Sequence, residues 1–189
     1  MDEKLIKLEE KEAESNLIFD GRVLHLYCDK VTLPDGQEGV REYCKHNGGV
    51  CVLPITDEGD VILVEQYRYA HRKITLEIPA GKLESKDTDT QSAALRELCE
   101  ETGATAKRIT FLTQIYPSPA LLDEIIYIYM AEGLTFGQQN LDKDEFLNCV
   151  RMPLSKLVEM VCAGDIPDAK TQVAALRAWK IFSERGLVQ

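Results

Sequence analysis

The chain of 189 residues is predicted to be an α/β protein: an α/β/α sandwich around a mixed sheet, preceded by a small antiparallel N-terminal sheet. Three observations carry that prediction. Short apolar runs of strand-like composition recur from Leu17 to Met152. Helical periodicity marks residues 90–102, 155–162 and 169–184. Turn-forming sequences, Asp20-Gly21 and Pro34-Asp35-Gly36 among them, separate the first strands. Strands mixed with helices to either side stack as layers around one core.

Residues 1–15 are highly charged with no clear period, and read as a tail or a frayed helix. Leu17-Ile18-Phe19, the turn Asp20-Gly21 and Val23 to Tyr27 then read as strand, turn, strand. Val40 to Lys45 is the return strand after Pro34-Asp35-Gly36. Gly49 to Ile55 and Val61 to Tyr67 are apolar strands joined by the turn Asp57-Glu58-Gly59-Asp60. Leu76-Glu77-Ile78 is a short strand leading to Gly81, and a helix from Thr90 to Thr102 follows. Ile109 to Ile115, Ile125 to Ala131 and Phe146 to Met152 are further strands. Ser155 to Cys162 and Ala169 to Glu184 are amphipathic helices, the last with Asp168 as its N-cap. The chain divides into an N-terminal antiparallel sheet, 1–45, and a main domain, 46–189.

A hydrophobic content of 44% supports one sizeable core. The net charge of −10 speaks against a nucleic-acid partner. A small anionic substrate remains compatible where a metal and a few arginines neutralise it. The six cysteines, at 28, 44, 51, 99, 149 and 162, form no C-x-x-C pair, so no zinc site is expected. The N-terminal residues lack the pattern of a signal peptide, and no membrane span is visible. Reduced thiols and a cytoplasmic location are the simplest reading.

The most informative run is Arg96-Glu97-Leu98-Cys99-Glu100-Glu101-Thr102-Gly103. At about 100° per residue, Arg96, Glu97, Glu100 and Glu101 share one arc of the helix, read as its exposed side, while Ala94, Leu98 and Thr102 share the other. Like charges on one face repel, and a structural helix would intersperse lysines. Concentrated carboxylates are the oxygen donors that a hard divalent cation takes. Glu97 and Glu101, one turn apart, can reach one ion, Glu100 can extend the cluster, and Arg96 can orient a glutamate.

With Glu77-Ile78-Pro79-Ala80-Gly81-Lys82 upstream, residues 81–104 resemble the Nudix box. Two departures stand out. Asp87 occupies the place of the family's loop glutamate, and the loop 83–91 is one residue longer, so that Asp87 or Asp89 could serve as the loop acid. The resemblance implies the α/β/α fold given above. It also implies Mg²⁺, or Mn²⁺ in its place, bound by Glu97, Glu100, Glu101 and the carbonyl of Ala80. Tyr116-Pro117-Ser118-Pro119-Ala120-Leu121-Leu122-Asp123-Glu124 resembles the substrate loop of the ADP-ribose pyrophosphatase branch, with Ala120 where that branch usually has glycine. That likeness implies Ser118 and Glu124 as substrate contacts, Glu124 on a ribose hydroxyl, and Arg41 and Arg68 on diphosphate or ribose. It implies an acidic residue of the loop Asp142-Lys143-Asp144-Glu145 as base or extra ligand; Glu145 matches best, with Asp142 and Asp144 as rivals. Phe19 or Tyr27 could stack the base.

The implied activity is hydrolysis of the pyrophosphate bond of ADP-ribose to AMP and ribose 5-phosphate. The alternatives are hydrolysis of another nucleoside diphosphate sugar, or a silent nucleotide sensor on the same fold; the intact Arg96, Glu97, Glu100 and Glu101 argue against the sensor. The branch also implies a homodimer built through the N-terminal segment.

Overall fold

Residues 7–84, 87 and 89–186 are described by a computed structural model; of the charged stretch 1–15, residues 1–6 lie outside the described residues. Contacts group the chain into two units, Met1–Asn47 with Ser118–Glu124, and Gly48–Pro117 with Ile125–Gln189.

The first unit is a sheet of β1 (Lys11–Glu14), β2 (Leu17–Asp20), β3 (His25–Thr32) and β4 (Glu38–Lys45). β4 runs antiparallel along one edge of β3, while β1 and β2 pair end to end along the other. The expectation of a tail or frayed helix is thus corrected at 11–14, which form a strand. These residues are exposed on both faces, so no apolar alternation marks them; the ladder to β3 and the 2.6 Å pair of Glu14 with Lys30 hold them instead. The strand expected from Val23 begins at His25, because Gly21 N–H donates to the Leu24 carbonyl (2.8 Å) and draws Val23 and Leu24 into the turn. The segment 118–124 joins this unit through a parallel bridge of Leu122 to Cys44 and a 2.7 Å bond from His46 N–H to Asp123.

The second unit contains β5 (Gly49–Ile55), β6 (Asp60–Arg68), β7 (Lys73–Glu77), β8 (Ala80–Lys82), α1 (Thr90–Thr102), β9 (Ala104–Ile115), β10 (Ile126–Phe136), β11 (Leu147–Pro153), α2 (Leu154–Ala163) and α3 (Ala169–Glu184). The sheet order is β11-β6-β5-β10-β9, with β5 and β10 parallel and the other pairs antiparallel. β5 is buried along its whole length. Val50 and Val52 join the cluster of Ala93, Ala94 and Leu98 from α1; Cys51, Leu53 and Ile55 join that of Leu154, Leu157, Ala174, Ala178 and Phe182 from α2 and α3. Cover on both faces is why its sequence is continuously apolar rather than alternating.

β5 and β6 pair only at their hairpin end, Ile55 with Val61. Beyond it β7 pairs with β6 and β8 pairs with β5. The short strand expected at Leu76–Ile78 is the end of β7, which starts earlier, and a further strand, β8, follows Ile78-Pro79, where proline supplies no N–H for a ladder. The break delivers Ala80 and Gly81 to α1. Among the described residues no helix is long and apolar enough to cross a membrane.

Candidate active site

α1 is set by its two ends. Asp89 caps the start, accepting from Ser92 N–H at 2.8 Å, and Gly103 closes it in the left-handed region at φ 68°. A Cβ at Gly103 would lie 2.5 Å from the Gly137 carbonyl oxygen, so both backbone angle and space require glycine. The carboxylate arc is not a solvated face: Glu97 is 8% exposed and Glu101 2%. That corrects the expectation of exposed glutamates. The arc looks onto β8, and a Cβ at Gly81 would sit 2.0 Å from the carboxyl carbon of Glu97. Glycine at this position leaves the space that the carboxylate fills.

Burial pushes the Glu101 carboxyl up to about 8, with the charges of Glu145 and Glu97 adding to it and the Ala80 N–H and Arg68 opposing. Burial likewise raises Glu97 to about 7; Arg96 opposes, while Glu100 and Glu145 add. Ionising both carboxyls would thus bring more negative charge to this face than its protein partners neutralise. Among the described residues no three His, Cys, Asp or Glu side chains already stand in metal-binding geometry. Glu97 instead accepts from Arg96 Nη1 (2.7 Å), and Glu101 from Ala80 N–H (3.2 Å). Buried carboxylate oxygens grouped on one helix face are the donors that a hard divalent cation takes.

Arg96 is the hub of this face. Nη1 donates to Glu97 and to Glu100 (2.8 Å), while Nε and Nη2 donate to Asp87 at 3.2 and 3.1 Å. Asp87, not Asp89, therefore reaches the arginine, and it also accepts from Glu84 N–H at 2.8 Å. The acidic loop is pinned to the end of α1 by Gly137 N–H on the Gly103 carbonyl (2.7 Å) and Asn140 N–H on the Glu100 carbonyl (2.9 Å). Glu145 is half-buried there and its charge acts on both Glu97 and Glu101, whereas Asp142 and Asp144 are exposed.

Arg68, at the end of β6, lines a cleft of about 540 Å³ with His71, Lys73, Thr75, Glu77, Pro167, Asp168, Ala169 and Lys170. Glu77 grips it by Nε and Nη2, at 2.7 and 2.5 Å. Burial would raise the Glu77 carboxyl, but the bond from Arg68, then the charge and bond of Lys170, hold it down at about 2. The sequence reading missed Glu77 and Lys170. At Glu77 the signal was a lone charge between Leu76 and Ile78, which is tolerated in a core only when paired; Lys170, among Asp168, Thr171 and Gln172, carried none.

The other expected residues lie in the first unit. Arg41 is exposed and paired with Glu10, with Nη1 on the Val40 carbonyl at 2.8 Å. The Ser118 carbonyl accepts from Leu121 and Leu122 N–H in a tight turn. Glu124 is mostly buried, 3.2 Å from His46 Nδ1. Tyr27 is stacked on Tyr43 with Lys45 over its ring, so its faces are engaged, whereas Phe19 is 59% exposed.

The chain is 44% identical to the ADP-ribose pyrophosphatase of Bacillus subtilis (strain 168), covering 88% of this chain and 91% of that one. It is 42% identical to the methanol dehydrogenase activator of Bacillus methanolicus, over 88% and 90%. It is 32% identical to the GDP-mannose pyrophosphatase of Yersinia pestis (strain Pestoides F), over 78% and 80%. A crystal structure described as an ADP compounds hydrolase superposes with a TM-score of 0.86 at 23% identity, covering 96% of this chain and 99% of that one, a likeness of fold. Residues 45–176 match the NUDIX domain, and with the box helix, its arginine hub and these relatives, the chain belongs to the Nudix family.

Proposed function

We propose that the protein hydrolyses the pyrophosphate bond of ADP-ribose to AMP and ribose 5-phosphate in the presence of a divalent cation, Mg²⁺ or Mn²⁺. The observation that carries this reading is the pair Glu97 and Glu101, two carboxylates one helical turn apart that are buried on the face of α1 turned to β8 and Gly81. Identity of 44% to a pyrophosphatase of that name supports the substrate.

Glu97, Glu101, Glu100 and the Ala80 carbonyl would hold the metal, which supplies charge stabilisation on the phosphate oxygens and a more acidic water. Arg96 keeps Glu97 and Glu100 in place. Arg68 binds the diphosphate with the part of its guanidinium that Glu77 leaves open. The Glu145 carboxylate takes the proton of the attacking water as its oxygen bonds to phosphorus and the bridging P–O bond breaks. Arg41, Ser118 and Glu124 contact substrate, with His46 beside Glu124. We assign residues 1–45 to dimerisation and 46–189 to the hydrolase domain, in a cytoplasmic homodimer without a nucleic-acid or membrane partner.

The GDP-mannose pyrophosphatase relative favours, as second reading, another nucleoside diphosphate sugar. A phosphate-release screen with Mg²⁺ and a coupled phosphatase, over ADP-ribose, GDP-mannose and other nucleoside diphosphate sugars, separates the two. The first reading expects ADP-ribose to have the highest kcat/KM. A higher value for GDP-mannose replaces it, and silence on every substrate removes the enzyme reading.

A further inference from the structure

Arg68 is held from behind. Glu77 takes its Nε and Nη2, and among the described residues Nη1 has no partner, at the wall of the 540 Å³ cleft. Glu77 is itself gripped on three sides. Thr75 Oγ1 donates to Oε1 at 2.6 Å, and Lys170, reaching across from the first turn of α3, donates to Oε2. The same ammonium donates to Asp168 at 2.8 Å. Asp168 in turn accepts from Thr171 N–H (3.0 Å) and Oγ1 (2.5 Å), and Thr171 Oγ1 accepts from Ile78 N–H at 2.9 Å. Two carboxylates and two cations close a loop that runs from β6 through β7 to α3.

Such a network is a poor way to gain stability. Lys170 is 8% exposed and Glu77 2%, and desolvating both costs about what their attraction returns; well-packed apolar side chains often serve a fold equally well. What charges add is direction. A carboxylate fixed by Lys170 and Thr75 presents both oxygens to one edge of the guanidinium, so that its plane and its open end are set before any ligand arrives. Preorganised donors lose less entropy on binding.

We infer that Lys170, acting through Glu77, is a positioning residue that holds the Arg68 guanidinium ready for the substrate diphosphate. The inference rests on the proposed role of Arg68 in substrate binding. Asp168 completes the device by keeping the Lys170 ammonium from swinging toward solvent.

Steady-state kinetics on the full chain with ADP-ribose and Mg²⁺ test it. Lys170→Met should raise KM roughly fivefold to tenfold with kcat within about twofold, the pattern of weakened binding. In an Arg68→Ala background the same substitution should add nothing to KM, because its route is gone. Lys170→Arg, which keeps a donor to Glu77, should recover part of the loss. A Lys170→Met protein that melts earlier but keeps its KM shows a purely structural lysine and overturns the inference. Equal KM rises in the wild-type and Arg68→Ala backgrounds overturn it too. If Arg68→Ala itself leaves KM unchanged, the reading of Arg68 fails and the inference with it. If Lys170→Met does not fold, Glu77→Gln carries the same cycle with the shape of the side chain retained.

Discussion

A glutamate with 2% exposure, pushed up to about 8, keeps its charge at neutral pH only beside a counter-charge. At Glu101 the protein supplies one N–H, from Ala80, and a distant guanidinium. Glu101→Gln keeps the shape and the acceptor for Ala80 but removes the buried charge. The variant should fold with its melting temperature close to that of the unaltered chain in EDTA, because the amide fills the same space and still accepts from Ala80 N–H. Its kcat should fall at least roughly a hundredfold, the several kcal/mol expected of metal-based charge stabilisation. Circular dichroism and steady-state rates check both halves; full activity in the variant, or in EDTA, sinks the metal assignment. The spacing of Glu97, Glu100 and Glu101 was legible in the sequence. Their burial was not, because the approach of β8 to α1 depends on Gly81 and Glu97 meeting across the fold.

At the level of elements, periodicity located α1 and α3 well and an unbroken apolar run located β5, since each pairs a strong local pattern with a clear cap or turn. It failed at β1, where two exposed faces leave no pattern, and at β8, where Ala80-Gly81-Lys82 is too short to show one. The latch joining β6, β7 and α3 was also hidden: Glu77 and Lys170 are 93 positions apart, and neither predicts the other. That latch has a pH signature. The Glu77 carboxyl sits near 2 in the folded chain, below its ordinary range. A depressed carboxyl contributes stability above the unfolded pKa of about 4 and loses it as pH falls toward the folded value. Urea unfolding should therefore show wild-type stability declining from pH 5 toward pH 3. Glu77→Gln leaves Arg68 and Lys170 without their shared carboxylate and should cost about 3–5 kcal/mol at pH 7. The gap between the two proteins should narrow as pH falls. A gap constant from pH 7 to 3 would show that Glu77 is not charged in the folded state.

For the whole molecule, the open question is what covers the first unit. Leu17, Ile18, Phe19, Val23 and Leu24 are between 45% and 61% exposed, on and beside a strand with no buried residue. A small sheet of this kind is marginal in water, and an apolar edge invites pairing with another chain. A second copy, meeting the first through the same segment about a two-fold axis, would cover both patches at once and leave no open surface for further growth. The expected state is a homodimer with an extensive N-terminal interface, large enough to persist at micromolar concentration. Light scattering on the full chain should give twice the 21.3 kDa of one chain. Deleting residues 1–38 removes β1, β2 and β3 while sparing the whole box. That variant should aggregate or lose activity even though Glu97, Glu100 and Glu101 remain. Phe19→Ser with Leu24→Ser is the gentler probe: apolar area leaves the patch without touching the box domain, and the dimer should dissociate at lower dilution. A monodisperse and fully active monomer of the unaltered chain at micromolar concentration would show instead that the exposed patch of the first unit needs no second copy.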